Sequence, residues 1–298
     1  MRPAASTQST PRRAPARPAG QTREALRVFL RNPAAVIGLV MLIAILAVTI
    51  FGPMVMSADP FEIAAAPMEP PGSEYALLGS DYLGRDVLTG IVYGGRATLT
   101  VGLVAAVLSV LIGVTVGALA GYYGGWVDEV LMRITEFFQV MPTLLLAMVL
   151  VTLFSPSLAT ISIAIGVASW TSNARLARAE FLRLRQREYV LAERVIGAGH
   201  GRIIWKVILP NAIAPLIVSA TLVIGTAILF EAGLSFLGLG DPNIMSWGLI
   251  IGNNRPYILT AWWAVTLPGV AIFLTVLAVS LIGDGLNDAF NPKLRGRE

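Results

Sequence analysis

The sequence predicts an all-α membrane protein with six spanning helices, on three observations. First, 55% of its 298 residues are hydrophobic and only 13% are charged, whereas water-soluble domains carry about a quarter charged residues. A soluble core of this size could not hide so much apolar surface, so lipid must solvate part of it. Second, six segments, at 34–56, 98–120, 134–153, 158–174, 210–230 and 262–282, approach the ~20 apolar residues of a bilayer crossing. Third, Lys and Arg concentrate on alternate connections between those segments, as they do on cytoplasmic loops.

Taking the elements in order, residues 1–23 are rich in Ala, Pro, Ser, Thr and Arg without apolar periodicity, and read as a disordered tail. The corresponding division of the chain is a tail over 1–30, a first span with an outside segment over 31–95, a helical core over 96–290 and a second tail over 291–298. A cleaved signal peptide is the competing reading of the N-terminus. The run at 34–56 is longer than the ~7–15 residues of a signal core and lacks a clear small-residue cleavage site, so it is expected to remain as the first span. Ser155-Pro156-Ser157 separates the third and fourth segments, a turn signal that makes them a helical hairpin.

Six crossings place both termini on one side. The N-terminal tail, Arg133, the connection from Arg175 to Lys206 and the C-terminus carry nineteen of the Lys and Arg residues. Arg85, Arg96 and Arg255 make three on the other side. Both termini are therefore expected in the cytoplasm. Two sizeable segments, 57–97 and 231–261, then lie outside; the first is acidic and rich in Pro and Gly, with a short interfacial helix expected from Arg85 onward. Trp262 and Trp263 stand where an aromatic belt belongs at the start of the sixth span.

Gly113, Gly117 and Gly121 repeat at helical spacing in the second span, a ridge that lets two helix backbones approach closely in lipid. Ordinary glycine use in a spanning helix is the plainer reading. The fourth-to-fifth connection holds a short helix around Tyr189, Val190 and Glu193 that ends near Gly197, and a second stretch, 202–209, leading to Pro210. With little of its own chain to bury against, the first helix either lies in a partner's groove or rests on lipid headgroups.

Catalytic and metal chemistry find no support. There is no Cys, which removes disulfides and thiolate sites, and the one histidine, His200, sits between Gly199 and Gly201. The net charge of +4 is a loop property and does not point to nucleic acid. Neither lysine follows a phosphate-cradling glycine run, since Val207 follows Lys206 and Leu294 follows Lys293. Glu136, next to Arg133 at i−3, reads as a local ion pair. Glu231, with Ser235 one turn on, lies at the end of the fifth span, where buried ionisable groups often mark a pathway; a gate or a structural link is expected. Asp284 and Asp288 read as water-exposed positions.

The loop resembles that of permease subunits of bacterial ATP-binding-cassette importers. Their pattern is Glu-Ala-Ala, three residues, Gly, and Ile-x-Leu-Pro after nine more. Here the positions read Leu191-Ala192-Glu193, Gly197 and Val207-Ile208-Leu209-Pro210; the Gly and Leu-Pro match, while Leu191 and Glu193 depart. Leu78-Gly79-Ser80-Asp81-Tyr82-Leu83-Gly84-Arg85-Asp86-Val87, the run from Glu231 to Gly240, Ser246-Trp247-Gly248 and the run from Gly283 to Ala289 are similar to the dipeptide, oligopeptide and nickel group. Phe29-Leu30-Arg31-Asn32-Pro33 fits the second permease of that group.

The resemblance implies a type I ABC importer permease fold in a bacterial inner membrane. It implies a second homologous permease, two ATPase subunits holding ATP and Mg, and an extracytoplasmic binding protein, with no cofactor on this chain. It also implies that Arg187, Glu188, Tyr189, Val190, Ala192, Glu193, Gly197, Ala198, Gly199 and His200 form the ATPase-coupling loop. Peptides are the expected cargo; nickel chelates or another small solute are the alternative, and a membrane scaffold that moves nothing is the alternative of another class.

Overall fold

The computed structural model describes residues 21–56 and 58–290. Among them the regular structure is helical, with two isolated bridges, Ile63 to Arg85 and Ser80 to Asp86. Expectations for residues 1–20 and 291–298 lie outside the described residues. Helix α1, Gln21–Arg31, replaces the disordered tail expected through residue 30. Asn32 ends it and caps α2, Pro33–Val55, accepting from the backbone N–H groups of Ala34 and Ala35 at 3.0 and 3.3 Å. Pro33 suits the first helical turn, where its missing N–H has no partner to lose.

Helix α3 runs unbroken from Val87 to Tyr123. Its 37 residues reach about 56 Å at 1.5 Å per residue, well beyond a hydrocarbon layer about 30 Å thick. The expected interfacial helix from Arg85 is therefore the first turns of α3 itself, capped by the Asp86 carboxylate on the Thr89 N–H at 2.8 Å. The third segment also differs from expectation. It is two helices, α4 (Gly125–Val140) and α5 (Thr143–Phe154), meeting at 86°. Pro142 has no N–H to continue the ladder and forces Met141 into an extended conformation.

Ser157 caps α6, Leu158–Leu184. Among the described residues four helical stretches, Pro33–Val55, Val87–Tyr123, His200–Phe236 and Trp263–Phe290, are long and apolar enough to cross a membrane, or five if the bent α4–α5 pair is one span, against the six expected. The 27-residue α6 is long enough as well, but more polar than the others. The reason is its place: it packs on α3, α4, α5 and α9, and buries Ser162, Thr171 and Asn173 against protein rather than lipid.

After α6 come α7 (Glu188–Val195), the single turn α8 (His200–Arg202) and a π-helical turn, Ile203–Ile208, that runs directly into α9, Leu209–Phe236. The fifth span therefore does not start afresh at Pro210. The widened turn lies just upstream, where the proline leaves the Lys206 carbonyl without its usual donor. A short α10 (Trp247–Asn254) and α11 (Trp263–Phe290) complete the fold.

Segment 58–86 is folded on itself by backbone hydrogen bonds and fixed to the helices by side chains. The Trp263 indole donates to the Ser80 carbonyl at 3.0 Å, and the Tyr82 N–H donates to Asn254 at 3.0 Å. Gly79 and Gly84 adopt φ of 81° and 84°. A side chain at either would also collide, with the Trp263 ring or with the Ala65 carbonyl. Trp263 is thus turned into the chain, while Trp262 stays exposed, so only one of the pair expected in an aromatic belt is available for it.

Candidate functional site

The coupling-loop candidates are organised around one buried residue. Val190 is fully buried, in a cluster with Tyr122, Phe181, Leu184, Ile203, Ile204 and Ile208, so α7 is seated on the π-helical turn, over a core shared with the ends of α3 and α6. Ala198 packs partly against the same cluster. Arg187 opens α7 without a side-chain cap, and Glu188 follows in its first turn. Gly197, at φ 82°, terminates it in the left-handed conformation that suits glycine at a helix C-terminus. Gly197 and Gly199 have open space where a side chain would stand.

The other face of the loop is uncovered. Tyr189 and Leu191 are about half exposed, and Val195 and Ile196 are 87% and 74% exposed. Arg187, Ala192 and Arg194 are exposed beside them. Glu193 faces Arg202 at 3.5 Å. A helix of eight residues that sends one apolar side chain inward and several outward is incomplete alone.

Two tethers join this loop to the end of α3. The His200 Nδ1 lies 2.8 Å from the Tyr122 hydroxyl, with the Arg194 guanidinium 5.3 Å above the Tyr122 ring. The Arg185 guanidinium donates to the carbonyls of Gly121 and Tyr122 at 3.0 and 3.3 Å, satisfying groups that a helix end leaves open. His200 therefore has a specific partner, which sequence reasoning missed. Tyr122 and His200 are 78 positions apart, and no local pattern signals such a pair.

The glycine ridge of α3 faces α6 within this chain. A side chain at Gly113 would meet the Trp170 carbonyl, at Gly117 the Ala174 carbonyl, and at Gly121 the Arg178 carbonyl. Beside it, Asn173 donates to Ser109 at 2.9 Å and accepts from Ser219 at 2.6 Å, joining α3, α6 and α9 by one buried amide.

Glu231 is 2% exposed. Its Oε1 accepts from Ser235 at 2.9 Å and from Ser246 at 2.7 Å, and its Oε2 accepts from Thr98 at 3.3 Å. Thr98 in turn accepts from the Trp247 N–H at 3.2 Å. The carboxyl thus ties α9 to α3 and to the cap of α10. Ser235 joins that knot; Thr98 and Ser246 are members the sequence did not reveal. Asp288 accepts from Asn32 at 3.1 Å, a link between α11 and the α1–α2 junction, so of the two expected exposed aspartates only Asp284 is exposed. Glu136 and Arg133 lie 3.4 Å apart and mostly in solvent. No group of three or more metal-ligating residues forms among the described residues.

Residues 113–296 match the family described as "Binding-protein-dependent transport system inner membrane component", and residues 20–71 match "N-terminal TM domain of oligopeptide transport permease C". The "Dipeptide transport system permease protein DppC" of Alkalihalophilus pseudofirmus is 40% identical over 275 residues, covering 92% of this chain and 90% of that one. The "Di/tripeptide transport system permease protein DppC" of Pseudomonas aeruginosa is 40% identical, covering 92% of each. The "Oligopeptide transport system permease protein OppC" of Bacillus subtilis is 37% identical, covering 92% and 90%. A solved structure of the MetNI methionine ABC transporter, inward facing, matches with a TM-score of 0.50 at 20% identity, over 66% of this chain and 96% of that one; it supports the fold, that of a type I ABC importer permease. With its family match spanning well over half its length and these relatives along nearly all of it, the chain belongs to the multi-pass inner membrane components of binding-protein-dependent transport systems.

Proposed function

We propose that this chain is one of two homologous permeases of an ATP-driven importer of di- and oligopeptides, and that loop 185–205 docks on an ATPase subunit. The names of the relatives support the cargo class. The observation that carries the docking is the pair Val195 and Ile196, bare at the tip of an arginine-rich loop whose Val190 is anchored inside. Exposed apolar groups on a rigid seat are what a partner groove recognises. Two ATPase subunits hold ATP and Mg, and an extracytoplasmic binding protein delivers the cargo. The chain itself carries out no reaction. ATP-driven closure of the ATPases displaces α7, and the Tyr122–His200 and Arg185 tethers pass that displacement to α3. Glu231 and Ser235 hold the opposite end as a structural link between span and outer loop.

Reconstituted vesicles containing the full complex test this. Gly197→Pro cannot adopt a positive φ, and Glu193→Lys reverses the charge facing Arg202. Each is expected to abolish ATP-dependent uptake of a dipeptide while the complex remains folded. Unchanged uptake together with unchanged ATPase stimulation would refute the docking. The orientation, with both termini cytoplasmic, is tested by Glu74→Cys, at an exposed position of the same outside segment as Asp81, and by Arg187→Cys in this Cys-free chain. In intact cells a membrane-impermeant thiol reagent is expected to label position 74 and to spare position 187; the reverse pattern overturns the topology.

A further inference from the structure

Between α4 and the last turns of α6 lies a cavity of about 770 Å³, bounded among others by Thr135, Glu136, Gln139, Ser172, Arg175 and Arg178. Its size falls within the roughly 300–1,000 Å³ usual for small-ligand sites. Its lining is unlike that of the clefts at 150–167, 110–220 and 44–274, which are bounded almost wholly by aliphatic and aromatic side chains.

Most of its polar groups are already committed. Arg178 is held by both oxygens of Asp128, at 2.5 and 2.6 Å, and the Thr135 hydroxyl donates to the Leu131 carbonyl at 2.8 Å. Arg175 differs. Its guanidinium donates to the Gln139 side-chain oxygen at 3.0 Å, a neutral acceptor, and it stands in none of the ion pairs formed among the described residues. A guanidinium has five N–H donors in a planar fork matched to a carboxylate, and here one donor is engaged. Arg175 lies just past the apolar part of α6 with its side chain exposed. Glu136, on the same cavity, is held only by the loose, solvent-exposed contact with Arg133, which contributes little. One guanidinium with open donors and one carboxylate held only loosely by Arg133 offer groups of both signs to a short zwitterion. A phosphate dianion would face repulsion from Glu136 and from the Asp128 carboxylate behind Arg178.

We infer that this cavity is the chain's share of a cargo chamber in which Arg175 receives the terminal carboxylate of a short peptide. The inference rests on the peptide-importer reading above. Glu136 receives the ammonium end. Because the chamber is open to water, its hold on cargo is weak, and cargo leaves it readily.

The experiment uses the full complex with Ser172→Cys as the only thiol, reconstituted in phosphatidylcholine vesicles, and follows alkylation at position 172. Dialanine with a free carboxylate is expected to slow alkylation by 1 + [peptide]/Kd, about threefold at twice its Kd. Dialanine amide and inorganic phosphate are expected to give no protection. Arg175→Gln should remove the protection and Arg175→Lys should restore part of it. Equal protection by the amide or by phosphate, or protection that survives Arg175→Gln, overturns the assignment. So does protection by added anionic lipid without peptide, which would make the occupant a headgroup. Uptake measured on the same vesicles separates the two readings. If dialanine is transported but never protects position 172, the chamber fails and the importer stands. If no peptide is transported, the peptide-importer reading fails and the chamber fails with it.

Discussion

The loop end and the opposite end of this molecule treat their side chains differently. At the opposite end the polar groups that join the helices find partners within the chain, although the buried Arg85 Nε has none and Leu259 is bare. Glu231 receives three hydroxyls, the Trp247 indole donates to the Ile91 carbonyl at 2.8 Å, and Trp263 and Asn254 hold segment 58–86. At the loop end the buried cluster around Val190 is complete, yet Val195, Ile196 and Trp205 stand in solvent. Two side-chain tethers, from His200 and Arg185, hold the loop to α3. Buried polar links between helices support the fold, whereas a short seated helix with apolar groups outward on a charged loop is one half of a contact.

Three variants test that contrast. The largest effect is expected from Val195→Asp combined with Ile196→Asp. Centrally buried interface residues contribute about 2 kcal/mol or more each, so retention of the ATPase subunits during purification should drop by more than about 100-fold. The permease's own melting temperature should not move, and a large fall in it would place these residues in the scaffold instead. Next is Glu231→Leu, which strands the hydroxyls of Thr98, Ser235 and Ser246 in a buried site. It should destabilise the purified chain by about 2–3 kcal/mol, read by thermal unfolding in detergent, while ATPase retention stays normal. Smallest is Tyr122→Phe, which removes the hydrogen bond to His200 and keeps the ring beneath Arg194. A loss of about 1 kcal/mol is expected, along with less uptake per ATP hydrolysed. An unchanged ratio of transport to hydrolysis would mean the tether carries no displacement.

Much of the fold was legible because bilayer crossing leaves a coarse signature. The runs at 34–56, 210–230 and 262–282 fall within α2 apart from the last residue, within α9, and within α11 apart from the first residue. The second run lies inside α3, whose additional turns at both ends are protein-facing and leave no hydropathy signal. The break at Pro142 was legible in principle, since Met141-Pro142 interrupts an apolar run and the residue before a proline avoids helical geometry; reading the run by hydropathy alone concealed it. Around the candidate sites, the C-terminal end of α7 followed from Gly197. The inward turn of Val190 with the outward turn of Val195 did not, because an eight-residue helix with apolar groups on both faces has no single stripe to read. Partners such as Thr98 for Glu231, or Arg185 for the end of α3, lie 133 and 64 positions away and are set by packing.

The backbone contact along Gly113, Gly117 and Gly121 has a mechanical consequence. A slide of α3 past α6 by even one residue, about 1.5 Å, would push carbonyls of one helix into bulkier neighbours on the other. The two therefore behave as a single girder, and shape change in this subunit must be absorbed at its joints, the bend at Pro142 and the widened turn before Pro210.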